Sequence, residues 1–120
     1  MSNSKSKTIR VLIVEPCKAP YTAVITAGLD SLQSQVGGMI KALYLEDVAL
    51  ICNEEGKLIG LPWNRPLFDE DGNLYDVIAG TFIVAGLTED DFGSLSDEQI
   101  ERYTELFRRW IIPEMILWED

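Results

Sequence analysis

Thr8-Ile9-Arg10-Val11-Leu12-Ile13-Val14-Glu15 is the stretch on which the fold turns. It is β-branched and apolar on consecutive positions, not on alternate ones. Such a run reads as a central strand buried on both faces. Pro16-Cys17-Lys18-Ala19-Pro20 follows, and two prolines in five residues make a turn, not a ladder. Tyr21 to Ile25 reads as a second strand, so the chain opens with a β-hairpin.

Further along the chain the period changes. Leu29, Leu32 and Val36 recur at spacings of three and four, which predicts a helix over about 27–36 with Thr26 as its N-cap. Gly37-Gly38 ends it. Met39–Leu45 alternates as a strand, Glu46-Asp47 turns the chain, and Val48–Cys52 is another apolar strand. Asn53-Glu54-Glu55-Gly56-Lys57 carries a hairpin signal leading into Leu58 and Ile59. Leu61–Leu67 holds Pro62 and Pro66 and reads as an ordered loop. Val77–Ala85 reads as one long strand with a bulge or close approach at Gly80, followed by an acidic loop, Gly86–Leu95.

Ser96 with Gln99 three positions on is a capping box. It opens a helix over about 97–111, with Ile100, Tyr103, Thr104, Phe107, Trp110 and Ile111 on one face. Asp97 and Glu98 lie at its positive end, Arg108 and Arg109 at its negative end. The order predicts an α+β fold: an antiparallel or mixed sheet of five to six strands with both helices on one face. Residues 1–7 read as a flexible tail and 8–120 as a single domain.

Charge is unevenly spread. Pro66 to Glu101 contains ten acidic residues and no Lys or Arg, whereas the rest of the chain holds ten acids and ten bases. The net charge of −10 therefore comes from that stretch alone. Such a field repels nucleic acid and anionic membranes and suits a basic partner surface. No apolar run reaches the ~20 residues of a membrane span, and the polar start lacks a signal-peptide core, so a cytoplasmic location is expected.

Chemistry is constrained by what is missing. There is no histidine, so Ser-His-Asp and Cys-His systems are excluded, along with the commonest metal ligand. Cys17 and Cys52 read as free thiols. Asp69-Glu70-Asp71-Gly72-Asn73 looks superficially like a calcium loop, but its glycine comes early and Gly80 stands where the position-12 Glu belongs. A polar turn is the simpler reading. The glycines at 37, 38, 56 and 60 match no phosphate-binding pattern. No enzyme activity, metal or cofactor is expected.

Three blocks are more specific: Val36-Gly37-Gly38-Met39-Ile40, Asn53-Glu54-Glu55-Gly56-Lys57-Leu58-Ile59-Gly60-Leu61-Pro62-Trp63-Asn64-Arg65, and Asp76-Val77-Ile78-Ala79-Gly80-Thr81. Over residues 9–85, with an echo at Ser94-Leu95-Ser96-Asp97, the chain resembles an uncharacterised family of short proteins and domains met on phages, plasmids and conjugative elements, chiefly of Gram-positive bacteria. The resemblance implies an accessory gene of a mobile element and brings no catalytic residues. In that setting the charge map suggests a counter-defence inhibitor, anti-restriction or anti-CRISPR, that occludes a basic nucleic-acid-binding surface of a host nuclease. Its expected contacts are Asp69, Glu70, Asp71, Asp76, Glu89, Asp90, Asp91 and the apolar C-terminal segment with Trp118. A different reading is a protein that sequesters a small ligand or nucleotide derivative, with Trp63, Asn64 and Arg65 lining a pocket and Arg65 on an anion. A third is a regulatory protein of the element itself.

Overall fold

The β-branched run at the start of the chain becomes β1, Thr8–Val14, and it lies inside the sheet as its lack of alternation requires. A computed structural model describes residues 7–112. The other elements are β2 Tyr21–Thr26, α1 Leu29–Val36, β3 Ile40–Leu45, β4 Val48–Asn53, β5 Trp63–Phe68, β6 Leu74–Ala79, β7 Phe82–Leu87, β8 Phe92–Gly93 and α2 Asp97–Arg109. The main sheet runs β2-β1-β7-β4-β3, with β8 also paired to β7, and every pairing is antiparallel. A separate two-stranded sheet holds β5 and β6. The fold is α+β, as the order of elements predicts.

Central strands β1, β7 and β4 are covered on both faces, and all six residues of β4 are buried. One face carries Ile9, Val11, Ile13, Ala49, Ile51 and Ile83 against Leu32 and Val36 of α1. The opposite face carries Leu12, Val14, Leu50 and Val84 against Tyr103 and Phe107 of α2 and Leu67 and Ile78 of the small sheet. The two helices thus take opposite faces, not one. The reason is that β1, β4 and β7 are apolar on both sides, and one helix layer would leave half of that surface in water.

Several boundaries differ from the pattern reading. The N-cap of α1 is Gly28, with no side-chain hydrogen bond, not Thr26, which ends β2 in register with Thr8. Residues 54–60 form turns, not the start of a hairpin strand at Leu58 and Ile59. The expected loop at 61–67 contains β5, and Pro66 sits opposite Val77 in a strand with only one partner. The run Val77–Ala85 is two strands in different sheets. Gly80 breaks it at φ +85°, and a Cβ there would meet Leu61 at 2.6 Å.

At the other end of β7, residues 92–95 wedge between β7 and β1. Leu95 donates to Arg10 O (2.8 Å), and the Ser94 hydroxyl accepts from Arg10 N (2.9 Å). Gly86 allows this approach, because a Cβ there would lie 2.4 Å from Ser94 O. Ser96 and Gln99 then form the reciprocal capping box. Helix α2 ends at Arg109, with Trp110 as C-cap. Lys7, at the edge of the expected tail, is engaged: its carbonyl accepts from Ala27 N at 3.0 Å. Cys17 and Cys52 are both free.

Phe107 is fully buried and packs edge-on against Phe82 (5.4 Å) and Trp110 (5.7 Å). Phe107→Ala is expected to cost about 3–5 kcal/mol in urea unfolding, as a large-to-small change in a core that cannot collapse around it. A cost under about 1 kcal/mol would mean that α2 does not hold this face of the sheet.

Candidate functional site

Asn64 and Arg65 lie on β5 and have no exposed surface, 0% each. Asn64 Nδ2 donates to Val14 O (2.9 Å) and Gly80 O (2.8 Å), and its Oδ1 accepts from Arg65 Nη1 (2.7 Å). Arg65 Nε donates to Phe107 O at 2.7 Å, and Nη2 donates to Lys18 O at 2.5 Å. Its acceptors are backbone carbonyls and an amide; no carboxylate pairs with it among the described residues. Phe107 lies in the last turn of α2, where carbonyls lack helical partners and the helix dipole is negative. The cation therefore closes a helix C-terminus from the inside. Burial pulls its pKa down to about 10, which leaves it charged at neutral pH. Trp63 beside them is half exposed (46%). Of the trio only Trp63 reaches the surface; its two polar members turn into the core.

The acidic residues divide into separate groups. Asp69, Glu70 and Asp71 occupy the β5–β6 turn, where Asp69 Oδ1 accepts from Asp71 N (3.0 Å) and Asn73 N (2.8 Å). This is the polar-turn reading of the calcium-like motif. Glu89, Asp90 and Asp91 occupy the β7–β8 turn, closed by Thr88 and Asp91. Phe68, next to the first turn, packs on Trp110 at the C-terminus of α2 (5.1 Å). The second turn leads through β8 directly to Ser96, the N-cap. The two turns thus connect to opposite ends of α2, the first through the Phe68–Trp110 contact and the second through the chain that enters its N-cap. Asp76 joins neither group. It is partly buried and accepts from Lys57 Nζ (2.6 Å) and Val77 N (2.7 Å). Burial pushes its carboxyl up, but the bonds from Lys57 and Val77 outweigh this and hold it below the usual range. Trp118 lies outside the described residues.

Surface cations are almost all neutralised in place. Arg10 pairs with Asp97, Lys18 with Glu15, Lys57 with Asp76, Arg102 with Glu46, and Arg108 and Arg109 with Glu105. Among the described surface cations only Lys7 and Lys41 lack a carboxylate partner within the described residues. By contrast, Asp69, Glu70, Asp71, Glu89, Asp90 and Asp91 are exposed, and none of them is in a salt bridge with a described residue.

The three sequence blocks meet at the joint between the sheets. Asn53 Nδ2 donates to Val36 O (3.2 Å), Glu54 N to Met39 O (2.7 Å), and Gly80 N to Pro62 O (2.7 Å). A groove of about 230 Å³ opens beside them, lined by Lys41, Leu43, Cys52, Lys57, Asp76 and Ile78 among others. Its polar lining is Lys41, Asn53, Glu54 and the Lys57–Asp76 pair, and burial raises the pKa of the Cys52 thiol, leaving it a poor nucleophile. Among the described residues no group of three His, Cys, Asp or Glu side chains is placed to hold a metal. No helix there is long and apolar enough to cross a membrane.

Two outcomes follow from these contacts. Arg65→Ala and Arg65→Lys are both expected to destabilise the fold, the alanine variant by at least about 3 kcal/mol, since buried carbonyls lose charged donors and a cavity opens. Lysine cannot reach acceptors on three sides at once; a fully stable lysine variant, measured by urea unfolding, would overturn the assignment. Asp47, in the β3–β4 turn, accepts from Tyr103 Oη (2.5 Å) and Gln99 Nε2 (2.9 Å). The Tyr103 bond chiefly, then the Gln99 bond, hold its carboxyl below the ordinary 3.8 against the effect of burial. Its stabilisation is complete above 3.8 and fades as pH falls through the lowered value. Tyr103→Phe should flatten that part of the acid limb of the stability–pH curve, and an unchanged limb would rule the coupling out.

A search of curated proteins found no match, and neither did a search of solved structures. A family model does match, over residues 9–108, so the similarity runs beyond the three blocks and takes in nearly all of α2. The chain belongs to the DUF3846 family, a domain of unknown function.

Proposed function

We propose that this protein acts by binding, without catalysis, and that it presses its acidic turns against a basic protein surface. The observation that carries the reading is the asymmetry of pairing. Among the described residues six of the eight surface cations are tied to carboxylates, all but Lys7 and Lys41, and Arg65 is buried, whereas the six carboxylates of the two turns are exposed without a counter-ion. Surface pairs contribute little stability, but they cancel positive field where it would oppose a basic partner. The target class that fits is a protein whose basic surface normally receives nucleic acid. In the setting of a mobile element this is a host defence nuclease, of restriction or CRISPR type, met in the cytoplasm. The mechanism is occlusion of the nucleic-acid path.

The division of these carboxylates between two turns sharpens the proposal, because the turns belong to different hairpins, β5–β6 and β7–β8. Each turn is proposed to make its own contribution to the association rate. The test uses two double variants, Asp69→Lys with Asp71→Lys and Asp90→Lys with Asp91→Lys, in a host-nuclease cleavage assay and in binding to the captured nuclease. Each is expected to fold as the parent, to slow association and to weaken inhibition, and the parent's affinity should fall as salt rises. Inhibition untouched by both reversals, or affinity indifferent to salt, rules the reading out.

A further inference from the structure

Among the described residues β2 is the edge strand on one side of the main sheet, and within them it carries none of the usual protections of an edge. Its sequence is Tyr21-Thr22-Ala23-Val24-Ile25-Thr26, with no charge, no proline and no bulge in its register with β1. The opposite edge, β3, carries Lys41. Ala27 N donates to Lys7 O, which makes Lys7–Ala27 a hydrogen-bonded pair. By the alternation of an antiparallel ladder, the main-chain groups of Tyr21, Ala23 and Ile25 face β1, and those of Thr22, Val24 and Thr26 face outward. The same three residues are exposed, Val24 at 66%. Their side chains share the α2 face with Arg10 and Leu12, which α2 does not extend far enough to cover at β2.

We infer that this edge pairs with the β2 edge of a second copy, in antiparallel register about Val24. A two-fold axis through Val24 brings Thr22 opposite Thr26 of the other copy, so outward main-chain groups meet outward main-chain groups along the whole strand. Thr–Thr and Val–Val are favourable cross-strand neighbours. Charge selects the occupant as well. In a molecule of net charge −10, the edge on which two copies meet with least repulsion is one that bears no charge. The pairing joins the two main sheets into one continuous sheet and leaves the acidic turns free.

The test is the mass of the full chain in solution across a wide concentration range, by sedimentation equilibrium, with amide exchange on the same samples. The parent is expected to pass from 13.5 kDa to twice that mass as concentration rises. Added salt should strengthen the dimer by screening repulsion, the opposite of its effect on a basic partner. The Thr22, Val24 and Thr26 amides should exchange more slowly in the dimer. Val24→Pro removes an N–H that β1 does not use, and Val24→Lys adds charge to the edge. Both should remain folded monomers at every concentration, and if the proline variant loses its fold, the lysine variant alone decides. A parent that stays at 13.5 kDa overturns the inference, as does a dimer that survives Val24→Lys. Protection of the three amides that does not vary with concentration overturns it too, by showing that another segment of the same chain covers the edge.

Discussion

A single buried guanidinium ties the molecule together. Arg65 reaches the last turn of α2 through Phe107 O and the β1–β2 connection through Lys18 O. Through Asn64 the same cluster reaches the end of β1 and the glycine that separates β6 from β7. Four parts of the chain, far apart in sequence, thus meet on two adjacent side chains. A charge with no exposed surface is costly to bury, and it is tolerated here because its donors meet carbonyls that would otherwise lack partners. The lack of any carboxylate beside it makes the arrangement a structural clamp, placed so that the negative end of a helix supplies the compensation.

The layering of the fold follows from the same cluster. With β5 and the end of α2 fixed to the end of β1, the small sheet and α2 share one face of the main sheet, and α1 is left to cover the other. Gly80 lets the chain leave the small sheet and enter the centre of the main one within two residues. Gly86 lets residues 93–94 press against β7, and from there the chain enters the capped start of α2. The same helix meets the first acidic turn's flank at Trp110 and receives the chain from the second at Ser96, so the element that completes the core is tied to both.

The folded chain alters the meaning of the acidic stretch. In sequence it is one block; in space it is two turns, a half-buried ion pair at Asp76 and carboxylates along α2. Bases from outside the block cancel part of it, Arg10 at Asp97 and Lys57 at Asp76. What remains without an ion-pair partner among the described residues is Glu98 and Glu101 on α2 and the carboxylates of the two turns, where some also close the turn by accepting backbone N–H groups. The negative field is a property of two loops and one helix face.

Local chemistry was legible in the residues alone. The Ser96–Gln99 box, the apolar stripe of α2, the central position of β1, the polar turn at 69–73 and the free cysteines all depend on composition or on neighbours a few positions apart. Tertiary structure decided the rest. Pro66 made β5 look like a loop, because a strand with a single partner tolerates a residue that a central strand does not. The apolar run 77–85 gave no sign that Gly80 divides it between two sheets, since both halves are buried. The faces taken by the helices, the burial of Asn64 and Arg65, and the split of the acidic block all rest on contacts between residues tens of positions apart. Such contacts leave no periodic trace in a single chain, because packing constrains only the sum of what meets in space and not the order in which it is written.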